Sequence, residues 1–134
     1  MKKYGLLIKE PDPKAWIFGG GQIPFEVLQP DGDWTPYFPE REQQNLNGVE
    51  TWACVVYTML NCIEILIKRQ YGIERNYAER FLATILDTKT NQGSDPHEVA
   101  ELLRKLGIPP ENVLPFDSTI DTAEKFFAPI PQKI

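Results

Sequence analysis

The stretch Thr51-Trp-Ala-Cys-Val-Val-Tyr-Thr-Met-Leu-Asn-Cys-Ile-Glu64 is almost wholly apolar, and its polar members Thr58, Asn61 and Glu64, followed by Lys68, recur at helical spacing. Such a narrow polar stripe on an apolar rod predicts a long, largely buried helix that starts near Cys54 and runs to about Gln70. A second helix is predicted over about Tyr77 to Leu86, with Asn76 as N-cap and Tyr77, Phe81 and Ile85 on one face. The third carries the clearest punctuation. Asp95 caps it, Pro96 suits its first turn and Glu98 completes a capping box. Val99, Leu102, Leu103 and Leu106 face inward, and Gly107 ends it. A weaker start lies at Asp121-Thr122-Ala123-Glu124, ahead of Phe126-Phe127 and the prolines at 129 and 131.

Residues 1–45 read differently. Prolines stand at 11, 13, 24, 30, 36 and 39, with Trp16, Phe18, Trp34, Tyr37 and Phe38 among them and short apolar pieces such as Tyr4–Ile8 and Phe25–Leu28. Proline at this density excludes helix, so this part is expected to be strand and loop, an extended arm anchored by aromatic side chains. The expected division is an arm over 1–45 and a helical lobe over 46–134, together one structural domain.

At 134 residues and 42% hydrophobic composition, the chain is long enough for one domain with its own core. Its net charge of -5, with Lys and Arg scattered, lacks the basic stripe that a nucleic-acid backbone requires, so no nucleic-acid partner is expected. The longest uncharged stretch, Thr51 to Ile63, falls short of the ~20 residues a bilayer crossing needs, so no membrane partner is expected. Leu6-Leu7-Ile8 after Lys2-Lys3 is too short for a secretory signal, which points to a cytoplasmic or virion setting. If Cys54 and Cys62 share one helix, ~1.5 Å of rise per residue sets them roughly 12 Å apart, beyond the ~7 Å Cα limit for a disulfide. Two free thiols are expected, in a fold that needs no covalent staple.

Cys54 is the candidate of greatest chemical interest. A thiol at the first position of a helix faces unpaired amides and the positive end of the dipole, both of which favour the thiolate nucleophile. The polar loop Gln43-Gln44-Asn45-Leu46-Asn47-Gly48 runs just before it. Cys62, within the apolar part of the same helix, is expected in the core. His97, the single histidine, sits in the first turn of a surface-looking helix, and no second histidine or clustered thiol accompanies it as a metal site would need. Gly19-Gly20-Gly21 is not followed by Lys-Ser/Thr and reads as a turn rather than a phosphate cradle. Asp31, Asp33, Glu40 and Glu42 read as a solvated loop, and Glu64 as a structural carboxylate that needs a hydrogen-bonding partner. No cofactor is expected.

The order of these pieces resembles the papain-like cysteine peptidases, whose nucleophile opens a long central helix after a Gln- and Gly-containing loop. The resemblance continues through Ile63-Glu64, then Ile67-Lys68-Arg69-Gln70-Tyr71-Gly72, Tyr77-Ala78-Glu79-Arg80-Phe81-Leu82, Asn91-Gln92-Gly93, Val99-Ala100, Leu106-Gly107-Ile108 and Leu114-Pro115-Phe116, spanning Gln43 to Phe116. In style the chain is also similar to uncharacterised papain-like proteins encoded by bacteriophages.

The resemblance implies an α+β, papain-like fold of which this chain holds the helical lobe, the second, mostly β lobe apparently missing. It implies a thiol hydrolase of peptide bonds with Cys54 as nucleophile and a protein or peptide as substrate. The family places Gly and Ser before the cysteine and Trp after it, where this chain has Trp52-Ala53 and Val55. The family's oxyanion glutamine falls at the position of Gly48, leaving Gln44 and Asn47 as candidate donors. Papain-like enzymes carry their histidine base ~130–150 residues beyond the cysteine, so the base is expected past Ile134. The alternative expectation is a non-catalytic structural or binding module, such as a virion or assembly component, whose partners are other subunits.

Overall fold

The computed structural model describes residues 6, 9, 10, 13, 29–86, 88 and 92–132. Its helices are α1 (Cys54–Tyr71), α2 (Glu79–Ile85), α3 (Pro96–Leu106) and α4 (Ala123–Phe126), with single 3-10 turns at Thr35–Tyr37, Leu46–Gly48 and Glu111–Val113. Helix α1 is the organising element, and both α2 and α3 pack on it. It ends where Gly72 takes a left-handed φ of 67° and returns its amide to the Lys68 carbonyl, a turn that residues with a Cβ adopt at a cost.

The buried face of α1 consists of Val55, Val56, Tyr57, Leu60 and Glu64. Val49 and Ala53 extend it before the helix, and Leu82 and Ala83 of α2, Val99 of α3, Ile120 and Phe126 close over it. Each fully buried Leu or Phe here contributes on the order of 1.5–3 kcal/mol by leaving water. Phe126 is the keystone of the C-terminal segment, with its ring edge-on to Phe116 at 4.8 Å and to Phe127 at 4.9 Å.

The α+β, papain-like expectation is overturned: the described residues form a small, mostly helical domain without a sheet. Strand-like pairing is limited to the isolated bridges Leu6–Ser94 and Tyr77–Pro110. In the described part of the arm the backbone donors are taken locally. Asp31 Oδ1 accepts from the Asp33 amide at 3.0 Å and Asp33 Oδ1 from the Thr35 amide at 2.9 Å, after which the chain enters a 3-10 turn. Pro30, Pro36 and Pro39 have no donor to give a ladder. The Gly19-Gly20-Gly21 turn, Tyr4 and Phe25–Leu28 lie outside the described residues.

Helix α2 starts at Glu79, later than the sequence pattern predicts. The reason is the backbone of 76–78, which pairs with 109–111 instead of winding into a helix: the Ala78 amide donates to Pro109 O and the Glu111 amide to Asn76 O, both at 3.0 Å. Helix α3 takes its predicted bounds, capped by Asp95 Oδ1, which accepts from the amides of His97 and Glu98 at 2.9 and 3.2 Å. Glu98 does not complete a capping box and pairs instead with Lys9. Leu106 is 58% exposed rather than inward-facing, because the last turn of α3 runs past the core. Cys62 is exposed, not buried. With Thr58 and Leu66, four residues away on either side, it lies on the outer face of α1, whereas Glu64 turns inward.

Candidate functional site

The loop entering α1 is held in an unusual backbone path. Asn47 at φ 56°, Gly48 at φ 75° and Trp52 at φ 50° all occupy the left-handed region within one short stretch. For a residue with a Cβ that region costs roughly 1–2 kcal/mol, so the two non-glycine positions need compensating contacts. These contacts are present. Asn47 Nδ2 donates to the carbonyls of Asp117 at 3.1 Å and Ile120 at 2.9 Å, tying the loop to the C-terminal segment. The buried Thr51 hydroxyl donates to Gln44 O at 3.0 Å and accepts from the Ala53 amide at 3.4 Å. Glu50 Oε1 accepts from the Trp52 amide at 3.2 Å.

That path delivers Cys54 to the first position of an 18-residue helix. The N-cap is Ala53, whose side chain has no oxygen to satisfy the first-turn amides, and the first turn holds no acidic residue. No side-chain oxygen therefore caps the start of α1, and the half-buried Cys54 stands at its first position. The Cys54 carbonyl is used in turn by Thr58 Oγ1, which donates to it at 2.8 Å.

Of the two candidate oxyanion donors, Asn47 has its amide N–H groups committed to the 117–120 segment. The half-buried Gln44 contributes its backbone carbonyl to Thr51, and its side-chain amide makes no hydrogen bond among the described residues. His97 is exposed, and its contribution to local structure is the backbone amide donated to Asp95. Among the described residues, no side chain hydrogen-bonds the Cys54 sulfur.

A second constellation includes Glu42, which the sequence pattern placed in a solvated loop. Glu42, Tyr57, Glu79, Glu111 and Phe116 line a pocket of about 260 Å³, with Arg41 and Gln43 at its rim. Burial, reinforced by Glu42, pushes the Glu79 carboxyl up to about 10, and burial pushes Glu111 up to about 7. Burial also raises the Tyr57 phenol, and the surrounding Glu79, Glu42 and Glu111 carboxylates raise it further. Glu42 thus turns inward while Asp31, Asp33 and Glu40 remain exposed.

Nothing in the sequence around Glu42 marks it as inward-facing. Glu79, followed directly by Arg80 at the start of a helix, reads as a partner of the helix dipole. Glu64 is separate from this pocket. It is 3% exposed, lies along a groove of about 410 Å³ with Tyr37, Phe38 and Lys68, and burial pushes its carboxyl up to about 7.

The described residues contain no cluster of three His, Cys, Asp or Glu side chains able to hold a metal ion, and no described helix is long and apolar enough to cross a membrane. No protein-family model, no curated protein and no solved structure matches the chain.

Proposed function

We propose that Cys54 is the nucleophile of a thiol hydrolase acting on peptide bonds. The observation that supports this most is the position of the sulfur: the first residue of the uncapped α1, presented by a loop that holds Trp52 at φ 50°. Backbone strain retained beside a potential nucleophile is typical of functional sites, where the surrounding structure over-determines an unfavourable conformation. In the reaction the thiolate attacks the peptide carbonyl carbon, the C–N bond breaks, and the amine leaves with a proton. Water then cleaves the thioester and restores the thiol. In this reading Gln44, whose side-chain amide makes no hydrogen bond among the described residues, donates to the oxyanion. The reaction requires an acid–base group, and among the described residues no side chain hydrogen-bonds the Cys54 sulfur to act as one.

The reading is tested with a peptidyl acyloxymethyl ketone, which alkylates only an activated thiol. One equivalent added at Cys54 and none in Cys54→Ser is the expected result. No adduct, or an adduct at the exposed Cys62, overturns it.

A second reading, a non-catalytic binding module, is favoured by the groove of about 410 Å³ in which Phe38 stays 54% exposed beside Tyr37 and Pro39. An exposed aromatic and a proline along an open groove suit an extended protein segment from another subunit. Under this reading Phe38→Ala weakens assembly with that subunit while Cys54→Ala does not.

A further inference from the structure

The pocket bounded by Glu42, Tyr57, Glu79, Glu111 and Phe116 is independent of the thiol reading and has a chemistry of its own. Three of its carboxylate oxygens, Glu42 Oε2, Glu79 Oε1 and Glu111 Oε2, are buried without a hydrogen-bond donor. Glu79 is 2% exposed, so its unpartnered oxygen has no recourse to bulk water, and its residue is part of the pocket wall. Buried acceptors left bare are costly, and three around one cavity call for a donor-rich occupant.

The local cations do not provide it. The half-buried Arg80 donates its Nε and an Nη to the carbonyls of Phe126 and Lys125, both at 2.7 Å. Arg41 sits on the rim, exposed and in no ion pair among the described residues. A proton shared between Glu42 and Glu79 would pair two of the three oxygens and leave Glu111 Oε2 bare.

The geometry also decides what kind of cation fits. The described residues hold no three ligands close enough to chelate one metal ion, whereas the carboxylates surround a cavity of about 260 Å³. A cation that spans such a space must be larger than a metal ion and carry several donors in fixed directions. Two aromatic residues, Tyr57 and Phe116, belong to the wall, a lining that suits a flat, delocalised cation. Guanidinium has both properties: five donors in a rigid plane and a weakly hydrated, stackable face. We propose that this pocket is a binding site for a guanidinium group, carried either by a small free ligand or by an arginine side chain of a peptide.

Burial and the neighbouring Glu42 and Glu111 keep a proton on Glu79, and Asp117 adds to the negative surroundings of Glu111. A bound guanidinium supplies the positive charge instead, so binding at neutral pH releases a proton.

Titration calorimetry and thermal melting of the full chain with ethylguanidine, N-acetyl-arginine amide, ethylamine, CaCl2 and MgCl2, at constant ionic strength, test the proposal. Saturable binding of at least one guanidinium probe is expected. Its enthalpy should vary with the ionisation enthalpy of the buffer, as proton release requires. Ethylamine should bind at least about tenfold more weakly, and Glu79→Gln should weaken guanidinium binding by at least about tenfold. The probe that binds more tightly distinguishes a free ligand from a peptide side chain. Glutamine has nearly the shape of the protonated Glu79 carboxyl and carries no charge, so Glu79→Gln is expected to fold. Should it fail to, Glu111→Gln carries the same expectation. No saturable binding, equal binding of ethylamine, tighter binding of Ca2+ or Mg2+, or unchanged affinity in a folded glutamine variant overturns it.

Discussion

Glu64, deep on α1, accepts a hydrogen bond at 2.9 Å from the backbone amide of Tyr77, the residue that also bridges to Pro110. One side chain thus fixes the central helix against the connection that leads into α2. Removing the acceptor orphans a half-buried amide, and Glu64→Ala should cost about 1–3 kcal/mol in urea denaturation. Glu64→Gln keeps an acceptor of the same reach and should cost less than about 1 kcal/mol at pH 8. Equal losses for the two variants would show that the Tyr77 bond contributes little.

The buried carboxyls give stability a definite pH dependence. Glu64 and Glu111 are raised to about 7 and Glu79 to about 10, from an ordinary 4.5. Above 4.5 the folded chain holds protons that the unfolded chain has lost, so their contribution is complete below that pH and declines as pH rises through the raised values. The lowered carboxyls, such as Asp117 and Asp121, act in the opposite sense at lower pH, but they are exposed and screened. The melting temperature should therefore fall between pH 5 and pH 8. Glu79→Gln should raise it more at pH 8 than at pH 5, which scanning calorimetry measures directly. A melting temperature that rises over this range contradicts the burial of these groups.

Asn47 separates a structural from a chemical role. Its amide spans the carbonyls of Asp117 and Ile120, so Asn47→Ala should lower stability by about 1–3 kcal/mol. In the thiol hydrolase proposed above, the same substitution should leave the alkylation rate of the folded protein at Cys54 within about twofold. An alanine variant of unchanged stability but lost acyl transfer would reassign the amide to the oxyanion.

At Trp52 the usual ranking of alanine over glycine should invert. Its φ of 50° is open to glycine and strained for alanine, so Trp52→Gly should be more stable than Trp52→Ala by about 1 kcal/mol. Chemical denaturation of the pair reads the backbone alone, since both variants lose the indole. Alanine matching or exceeding glycine would mean that the left-handed path is not kept in solution.

Helices α1 and α3 were legible because period and punctuation agree in them: an apolar face over 54–71, and Asp95-Pro96 before and Gly107 after 96–106. The start of α2 was not, because pairing of residues 76–78 with 109–111 is set by tertiary contact that local propensity does not carry. The α+β reading came from the papain-like resemblance and from reading 1–45 as strand and loop, whereas Asp31 and Asp33 take nearby backbone donors and the chain then enters a 3-10 turn. Cys62 was misplaced because the outer face of α1 runs through Thr58, Cys62 and Leu66, and Leu106 because the last turn of α3 runs past the core. The carboxylate pocket joins Glu42, Glu79 and Glu111 across long separations, and no short motif encodes such a meeting.

The two thiols of α1 supply an internal comparison for the central proposal. Cys54 is half-buried at the helix N-terminus, while Cys62 is exposed on the outer face, so access alone favours Cys62. Rates of iodoacetamide alkylation at the two positions, resolved by peptide mass spectrometry at pH 7, test whether electrostatic activation outweighs access. The expected result is faster alkylation of Cys54 despite its lower exposure. Faster alkylation of Cys62 would contradict a nucleophilic role for Cys54.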